Sequence, residues 1–270
     1  MPSVLASDRA IVSAACLTPW GEEASGVPGA APKELPKISG FAISRFGPLV
    51  HAAASACLGP ADASDGHVGR FGARTAIVLA TMYGDVVTVD TATQWTVAGK
   101  LSNPLMFFQS VSTSILSHLT RRYGIYGPLT CISAVPDPAG DALRVADALL
   151  DDPELHQVLV IGVEIEPNER VRRVNELTAA AGWRLRLPAG DAAAAILLRR
   201  IETDTGAARL TLSEKPLATT CGISGKPAVP LGWLSNLMEL CADAGTGRQE
   251  AYTYELSSVH RDHSVTTPHA

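Results

Sequence analysis

Five cysteines and seven histidines are the side chains of this sequence best suited to acyl transfer or metal binding. The cysteines are Cys16, Cys57, Cys131, Cys221 and Cys241. They are far apart and form no Cys-x-x-Cys pair, so their spacing does not suit zinc. Their odd number predicts free thiols in a reduced, cytoplasmic protein.

Two histidines near the C-terminus, His260 and His263, flank Asp262 at a spacing that a metal could use. Their position in a polar terminal segment favours a solvated tail instead. The GxSxG, GxGxxG and GxxxxGK[ST] strings of hydrolases and nucleotide-binding proteins are absent. The sequence therefore predicts neither a metal site nor a cofactor.

Charge and hydropathy exclude two further classes of partner. The net charge is −5, and the densest basic cluster (Arg170, Arg172 and Arg173) lies beside acidic residues, which is typical of a solvated helix face rather than a nucleic-acid site. No apolar run approaches the ~20 residues that span a bilayer. The N-terminal apolar stretch is interrupted by Asp8 and Arg9, so we expect neither a signal peptide nor membrane attachment.

Alternating strands and helices must position these groups. Continuous apolar runs predict strands at 11–18, 75–81, 128–135, 157–165 and 191–201. Small-residue and one-face apolar patterns predict helices at 46–58, 107–123 and 139–150. Further along, the pattern predicts a strand at 208–213, paired as a hairpin with 191–201, then a helix at 231–243 and a strand at 250–258.

This alternation predicts an α/β fold, a mixed five-stranded sheet with helices on both faces. We expect a main unit at 1–201 and a smaller C-terminal appendage at 202–270, disordered from His260 onwards.

The order of motifs from Leu101 to Pro167 resembles the N-terminal half of the thiolase-fold β-ketoacyl synthases. In that family, a Gly-Pro turn leads into a strand that ends at the nucleophile, followed by a small-residue helix and a strand of the VLVGGxE type. The resemblance covers about residues 10–215. Its matching positions are Gly127-Pro128, the strand 129–135, Ala142-Leu143, Ala146, Val158–Glu164 and the Gly190-Asp191-Ala192 run, with Thr75 to Gly84 as an earlier strand and turn.

The sequence departs from the family at the nucleophile. Counted from Gly127-Pro128, the position of the catalytic cysteine is occupied by Pro136, which has no side-chain nucleophile. A shift of one residue would place Asp137 there, and Asp137 forms no thioester either. Cys131, five residues upstream, is predicted to be a buried small side chain within the strand.

The family's second half, which supplies the catalytic histidines, is largely missing. No HGTGT-type string occurs, no Gly-His pair follows Arg200, and only 70 residues remain after that position. The resemblance therefore implies that this chain is not a condensing enzyme by itself.

A ketosynthase homologue without a nucleophile resembles the chain-length factors, which pair with an active ketosynthase and close the far end of its acyl tunnel. The resemblance implies a heterodimer through the strand 129–134 and the helix 107–123, with the acyl carrier protein reaching the complex through the partner. The implied tunnel and interface residues are Thr91, Trp95, Leu105, Met106, Phe107, Phe108, Val111, Leu129, Cys131 and Ser133.

Short members of this kind resemble the subunits found beside aryl-polyene ketosynthases, and Ser110-Val111 matches that group. The group's following His-Asn is replaced by Ser112-Thr113, so a different polyene system is equally consistent with the sequence.

Three alternatives stay open. Met106, Phe107 and Val111 could pack the domain's own core. The chain could stabilise a ketosynthase without setting product length. It could also be a degenerate thiolase-fold acyltransferase that uses Cys131 or Asp137.

Overall fold

The computed structural model describes eight stretches of the chain: residues 7–61, 66–100, 104–134, 137–180, 186–201, 208–216, 230–246 and 251–258. The strands are β1 (Ser7–Leu17), β2 (Thr75–Ala80), β3 (Leu129–Ile132), β4 (Gln157–Glu164), β5 (Ala192–Arg200), β6 (Ala208–Pro216) and β7 (Ala251–Ser258). The helices are α1 (Phe46–Leu58), α2 (Val86–Val97), α3 (Pro104–Ser110), α4 (Ser114–Tyr123), α5 (Pro138–Leu150), α6 (Glu169–Ala180) and α7 (Ser235–Gly245), with 3₁₀ turns at Gly21–Ala24, Gly69–Arg74 and Gly232–Leu234.

All seven strands form one mixed sheet in the order β3-β2-β4-β5-β1-β6-β7. β2 runs parallel to β3 and β4, whereas β5 is antiparallel to both β4 and β1. β1 is antiparallel to β6, and β6 is parallel to β7. The expected α/β fold with a mixed sheet is confirmed.

Helices cover both faces of the sheet. α5 and α7 pack with alternate residues of β2, β4 and β5 in one hydrophobic cluster, and α1 and α4 pack with the intervening residues in the other. β2 and β4 are buried along their whole length, because both of their faces are covered.

The sheet curls around α5. This helix contacts β2 and β3 near one edge and also β7 at the other edge, which a flat sheet would hold too far away. The pairing of β1 with β5 has a register shift between Ile11 and Ser13, just where the pairing of β1 with β6 ends at Ile11. Such an irregularity increases local twist. β7 thereby contacts α5, and a domain boundary at residue 202 remains a prediction.

Two expectations about the sheet are wrong. It has seven strands rather than five, because β6 and β7 continue it beyond β1. β6 does not form a hairpin with β5, because β4 and β1 already occupy both edges of β5. β6 pairs with β1 instead.

The helix expected at 107–123 is divided into α3 and α4 by a turn over 111–113. The hydroxyl of Ser110 donates to the carbonyl of Phe107, and that of Ser114 donates to the carbonyl of Phe108. Serine hydroxyls offer the backbone such alternatives to the helical ladder, and they end the first helix here.

Gly127 explains the Gly-Pro turn before β3. A Cβ atom at this position would lie 2.3 Å from the carbonyl oxygen of Thr75. Only glycine allows this approach, which starts β3 in register beside β2.

A buried histidine joins α1 to α4. His51 is 8% exposed, and neither of its ring nitrogens has a hydrogen-bond partner in the described part of the chain. Its ring lies edge-on to that of His118, with centroids 5.3 Å apart. Burial, with His118 and Arg122 nearby, lowers the pKa of His51 to about 4.

We therefore expect the protein to lose stability as the pH falls from about 6.5, where a solvated histidine titrates, towards 4. The unfolded chain binds a proton at His51 in this range and the folded chain does not, so unfolding gains up to ~2 kcal/mol. Thermal unfolding of wild type and His51→Leu at pH 7.5 and pH 5 tests this. The variant should show a smaller fall in Tm; an equal fall would contradict this role of His51.

Candidate functional site

Among the described strands, β3 pairs only with β2 and forms one edge of the sheet. The carbonyl oxygens of Pro128 and Ile132 accept from the backbone N–H groups of Ile77 and Thr81. Since alternate residues of a parallel strand bond to the same neighbour, the backbone N–H and C=O groups of Leu129 and Cys131 point to the free edge. The strand through which the resemblance implies pairing thus lies at an edge of the described sheet.

Exposed apolar side chains are concentrated on a few elements, and this edge strand is one of them. In the described part of the chain, every large hydrophobic residue that is exposed lies on α2, on α3 and the turn after it, on β3 and the residues before it, or on α6. None lies on α1, α4, α5 or α7. These residues are Val89, Trp95, Val97, Leu105, Phe107, Phe108, Val111, Tyr126, Leu129, Val174 and Leu177. We call this set the apolar edge surface.

The turn Met82–Gly84 after β2 holds these elements together. The hydroxyl of Ser133, just after β3, donates to the carbonyl oxygen of Met82 at 3.0 Å. A Cβ atom on Gly84 would lie 2.3 Å from the hydroxyl oxygen of Ser112, so the turn between α3 and α4 rests directly on it. α3 in turn contacts α2. The edge strand and both helices are thus positioned by the same turn.

A buried carboxyl group accepts a hydrogen bond from this turn. Glu164, at the end of β4, accepts from the backbone N–H of Met82 at 3.0 Å and from the indole N–H of Trp233 at 3.2 Å. Burial raises the pKa of Glu164 to about 7, opposed by these hydrogen bonds. The resemblance to the family included Glu164 in its strand Val158–Glu164 but did not predict that Glu164 would hydrogen-bond to this turn.

The structure separates the residues expected to line a tunnel. Phe107 is 74% exposed, and Leu105, Phe108, Val111 and Trp95 are also exposed.

Met106, by contrast, is 2% exposed and packs into the domain. The alternative that these side chains pack the domain's own core therefore fits Met106 but not Phe107 or Val111. The hydroxyl of Thr91, which is half-buried, donates to the carbonyl oxygen of Val87 within α2. Phe108 also contacts Phe41, with ring centroids 5.9 Å apart.

The turn expected to carry a nucleophile begins α5. Pro136 and the C-terminal histidines His260 and His263 lie outside the described residues. Asp137 is the N-cap of α5, and its carboxylate accepts from the backbone N–H of Gly140 at 2.9 Å. Tyr254, buried on β7, hydrogen-bonds to the same carboxylate, and burial together with Asp137 raises the pKa of its hydroxyl. The start of α5 is therefore occupied by a carboxylate and a phenol.

The described cysteines are poor nucleophiles. Burial raises the pKa of Cys16 to about 11 and that of Cys57 to about 12, and it also raises the pKa of Cys241. Partial desolvation by neighbouring atoms raises the pKa of Cys131. A reactive cysteine needs a lowered pKa. Cys131 is exposed on β3 rather than buried, so the expectation for its burial is wrong.

Within the residues that the structure describes, no group of three or more His, Cys, Asp or Glu side chains could hold a metal ion. Two open cavities, of about 320 and 470 Å³, meet at the ion pair between Arg45 and Asp191. Among the described helices, none has the length and hydropathy of a membrane span.

Comparison with known proteins identifies the fold. Neither a protein-family model nor a curated protein matches the chain by sequence. Among solved structures, a ketosynthase (ApeO) in complex with its chain length factor (ApeC) from Xenorhabdus doucetiae matches with a TM-score of 0.53 and 19% identity, over 73% of this chain and 81% of that chain. The ishigamide ketosynthase/chain length factor matches with a TM-score of 0.56 and 19% identity, over 74% of this chain.

A β-ketoacyl synthase from Burkholderia phymatum STM815 matches with a TM-score of 0.53 and 12% identity, over 72% of this chain. The chain spans 64% of the ishigamide protein and 59% of the Burkholderia protein. These similarities establish that the chain has the thiolase-like fold of ketosynthases and chain-length factors.

The contact between Asp137 and Tyr254 predicts a graded effect on stability. Asp137→Ala removes the N-cap of α5 and leaves the buried Tyr254 hydroxyl without this partner, at a cost of about 2 kcal/mol. Asp137→Asn keeps an acceptor for both and should cost less than half as much. Thermal unfolding of the two variants measures the difference, and equal losses would contradict the shared role of this carboxylate.

Proposed function

We propose that this chain is a non-catalytic chain-length factor. It pairs with an active ketosynthase through β3 and closes the far end of that partner's acyl tunnel in type II polyketide biosynthesis, of the polyene type. The observation that carries the proposal is the apolar edge surface next to a strand with a free backbone edge.

The free edge of β3 supports pairing with another strand. Its outward N–H and C=O groups need partners, and an exposed apolar edge strand tends to associate. Aromatic side chains such as Phe107, Phe108 and Trp95 are typical of the energetic centre of an interface. The solved complexes with this fold include ketosynthases bound to chain-length factors, which supports a ketosynthase as the partner.

A role in setting chain length is supported by the size and position of these side chains. Bulky residues on α2 and α3 would form a packed wall against the partner, and a packed wall does not accept extra carbon atoms without displacing side chains. The acyl carrier protein would deliver the growing chain to the partner's cysteine, and this chain would only limit its length.

The absence of catalysis is supported by the start of α5. A catalytic cysteine at such a helix start is stabilised as a thiolate by the helix dipole. Here the carboxylate of Asp137 already accepts from the helix backbone, and the Tyr254 hydroxyl lies against it. The neighbouring residue in the nucleophile position is Pro136.

Pairing through the edge strand is tested by a proline. In Cys131→Pro, the strand loses an outward N–H group but keeps its hydrogen bonds to β2, which use the residues on either side. We expect this variant to fold and to lose its ketosynthase, whereas Cys131→Val should keep it. Co-purification after co-expression with each β-ketoacyl synthase of the source genome measures this. A Cys131→Pro variant that still co-purifies would contradict pairing through β3.

Control of product length is tested by shortening the wall. In the reconstituted complex, Trp95→Ala and Phe108→Ala should each lengthen the product by at least one two-carbon unit, because they open space at the tunnel end. Tyr126→Ala, which removes an exposed aromatic side chain outside the expected tunnel, serves as the matched control. Mass spectrometry of the released products decides, and unchanged lengths in an active complex would favour a purely stabilising subunit.

Acyl transfer should depend entirely on the partner. When the complex is incubated with acyl carrier protein and a malonyl donor, intact-mass spectrometry should find the acyl group on the ketosynthase and none on this chain. Cys131→Ser should therefore retain full condensation activity. An acyl adduct on Cys131 would instead support the degenerate acyltransferase.

A further inference from the structure

Helix α6 carries an apolar stripe, formed by Val171, Val174 and Leu177, whose side chains become more exposed towards the C-terminal end of the helix. Val171 in its first turn is buried, Val174 is 39% exposed, and Leu177 is 56% exposed. Arg170, Val174 and Leu177 follow one another at i, i+4 and i+7, so they share one face of the helix. Arg172 and Glu176 occupy the opposite face, whereas Arg173 borders Leu177 and pairs with Glu176 at 3.1 Å. The stripe has the pattern of a buried helix face, but no other residue of the described part of the chain buries its C-terminal end.

The helix is held in place beside α2. The guanidinium of Arg170 pairs with the carboxylate of Asp90 on α2 at 2.9 Å, and the side-chain amide of Asn168 donates to the same carboxylate. Asn168 also accepts from the backbone N–H of Val171 at 2.9 Å, which caps the helix. Thr178 hydrogen-bonds to Tyr83 in the turn after β2. Ser112 and Ser133 contact the same turn. Both ends of α6 are therefore connected to the elements around β3.

The exposed residues of β3, α3 and α2 are too few for a stable interface. A stable interface uses about 20–30 residues on each side. Only 12 residues of β3, α3 and α2 are exposed. The remaining exposed large hydrophobic residues of the described chain lie on α6, apart from Val111 and Tyr126 in the adjoining turns.

We infer that the face of α6 formed by Val174 and Leu177 is a second docking element for the ketosynthase, continuous with α3 through α2. This inference rests on the proposed function, and it extends the interface to a helix that the resemblance to the family did not include. Docking here would not bury an unpaired charge, because Arg170 on the same face is already neutralised by Asp90.

The test introduces a charge into the stripe. Leu177→Asp should weaken binding to the co-expressed ketosynthase at least about tenfold, because it places a charge in an apolar contact. Leu177→Met, which preserves volume and hydrophobicity, should bind like wild type. Ala56→Asp adds the same charge at an exposed position on α1, outside the apolar edge surface, and should also bind like wild type. Kd is measured by biolayer interferometry, with Tm as the check on folding.

The outcomes separate this inference from the proposed function. If Cys131→Pro abolishes binding and Leu177→Asp binds like wild type, then the ketosynthase pairs through β3 and α6 is not part of the interface. If no β-ketoacyl synthase of the source genome binds the wild-type chain, both ideas fail. If light scattering shows that the chain alone is a dimer, and Leu177→Asp makes it a monomer, then a second copy occupies α6 and the inference is wrong.

Discussion

The backbone of β3 places one constraint on the rest of this molecule. Half of its hydrogen-bonding groups are satisfied by β2, and the other half point away from the domain. In a folded protein such groups are paired, covered or protected by charges. Around this strand the sequence supplies aromatic and aliphatic side chains rather than charges. The edge is therefore suited to being covered by another protein.

The interior of the domain is arranged to keep this edge rigid. Glu164 is a carboxyl group in the centre of the fold, where an unpaired charge would be costly. It is accommodated by donors from the turn after β2 and from Trp233, so it links the C-terminal part of the chain to the loops around β3. Asp137 and Tyr254 form a similar link at the start of α5. In both places a long-range polar contact fixes a turn that hydrophobic packing alone would leave less well defined.

Local patterns in the sequence predicted most of the elements but not all of their partners. α1 and the strands β2 and β4 follow directly from continuous small or apolar residues. α2 was missed because its valines and threonines are β-branched and give a strand-like composition; the cap formed by Asp85 on Thr88 starts it as a helix.

The pairing of β6 with β1 rather than β5 depends on which strand edges are already occupied, and no local pattern contains that information. In the candidate site, the resemblance to the family already indicated Phe107 as an interface residue. The roles of Tyr254 and Glu164 depend on contacts between distant segments, which no local pattern contains. On α6, the arginines predicted a solvated helix face. The spacing of Val171, Val174 and Leu177 was the signal that could have identified its apolar face.

The central position of β1 has a consequence for how the chain folds. β1 is made first, yet both of its neighbours in the sheet, β5 and β6, lie near the other end of the described chain; the hydrogen bond from Thr211 to Asp8 joins residues 203 positions apart. Closing so long a loop is entropically costly, and folding rates fall as the sequence separation of contacts grows. During synthesis, β1 must wait with both edges unpaired until nearly the whole sheet has been translated. The nascent chain therefore exposes an unpaired apolar strand while β2 to β4 are synthesised, and chaperones that bind extended apolar segments would protect it from aggregation during that interval.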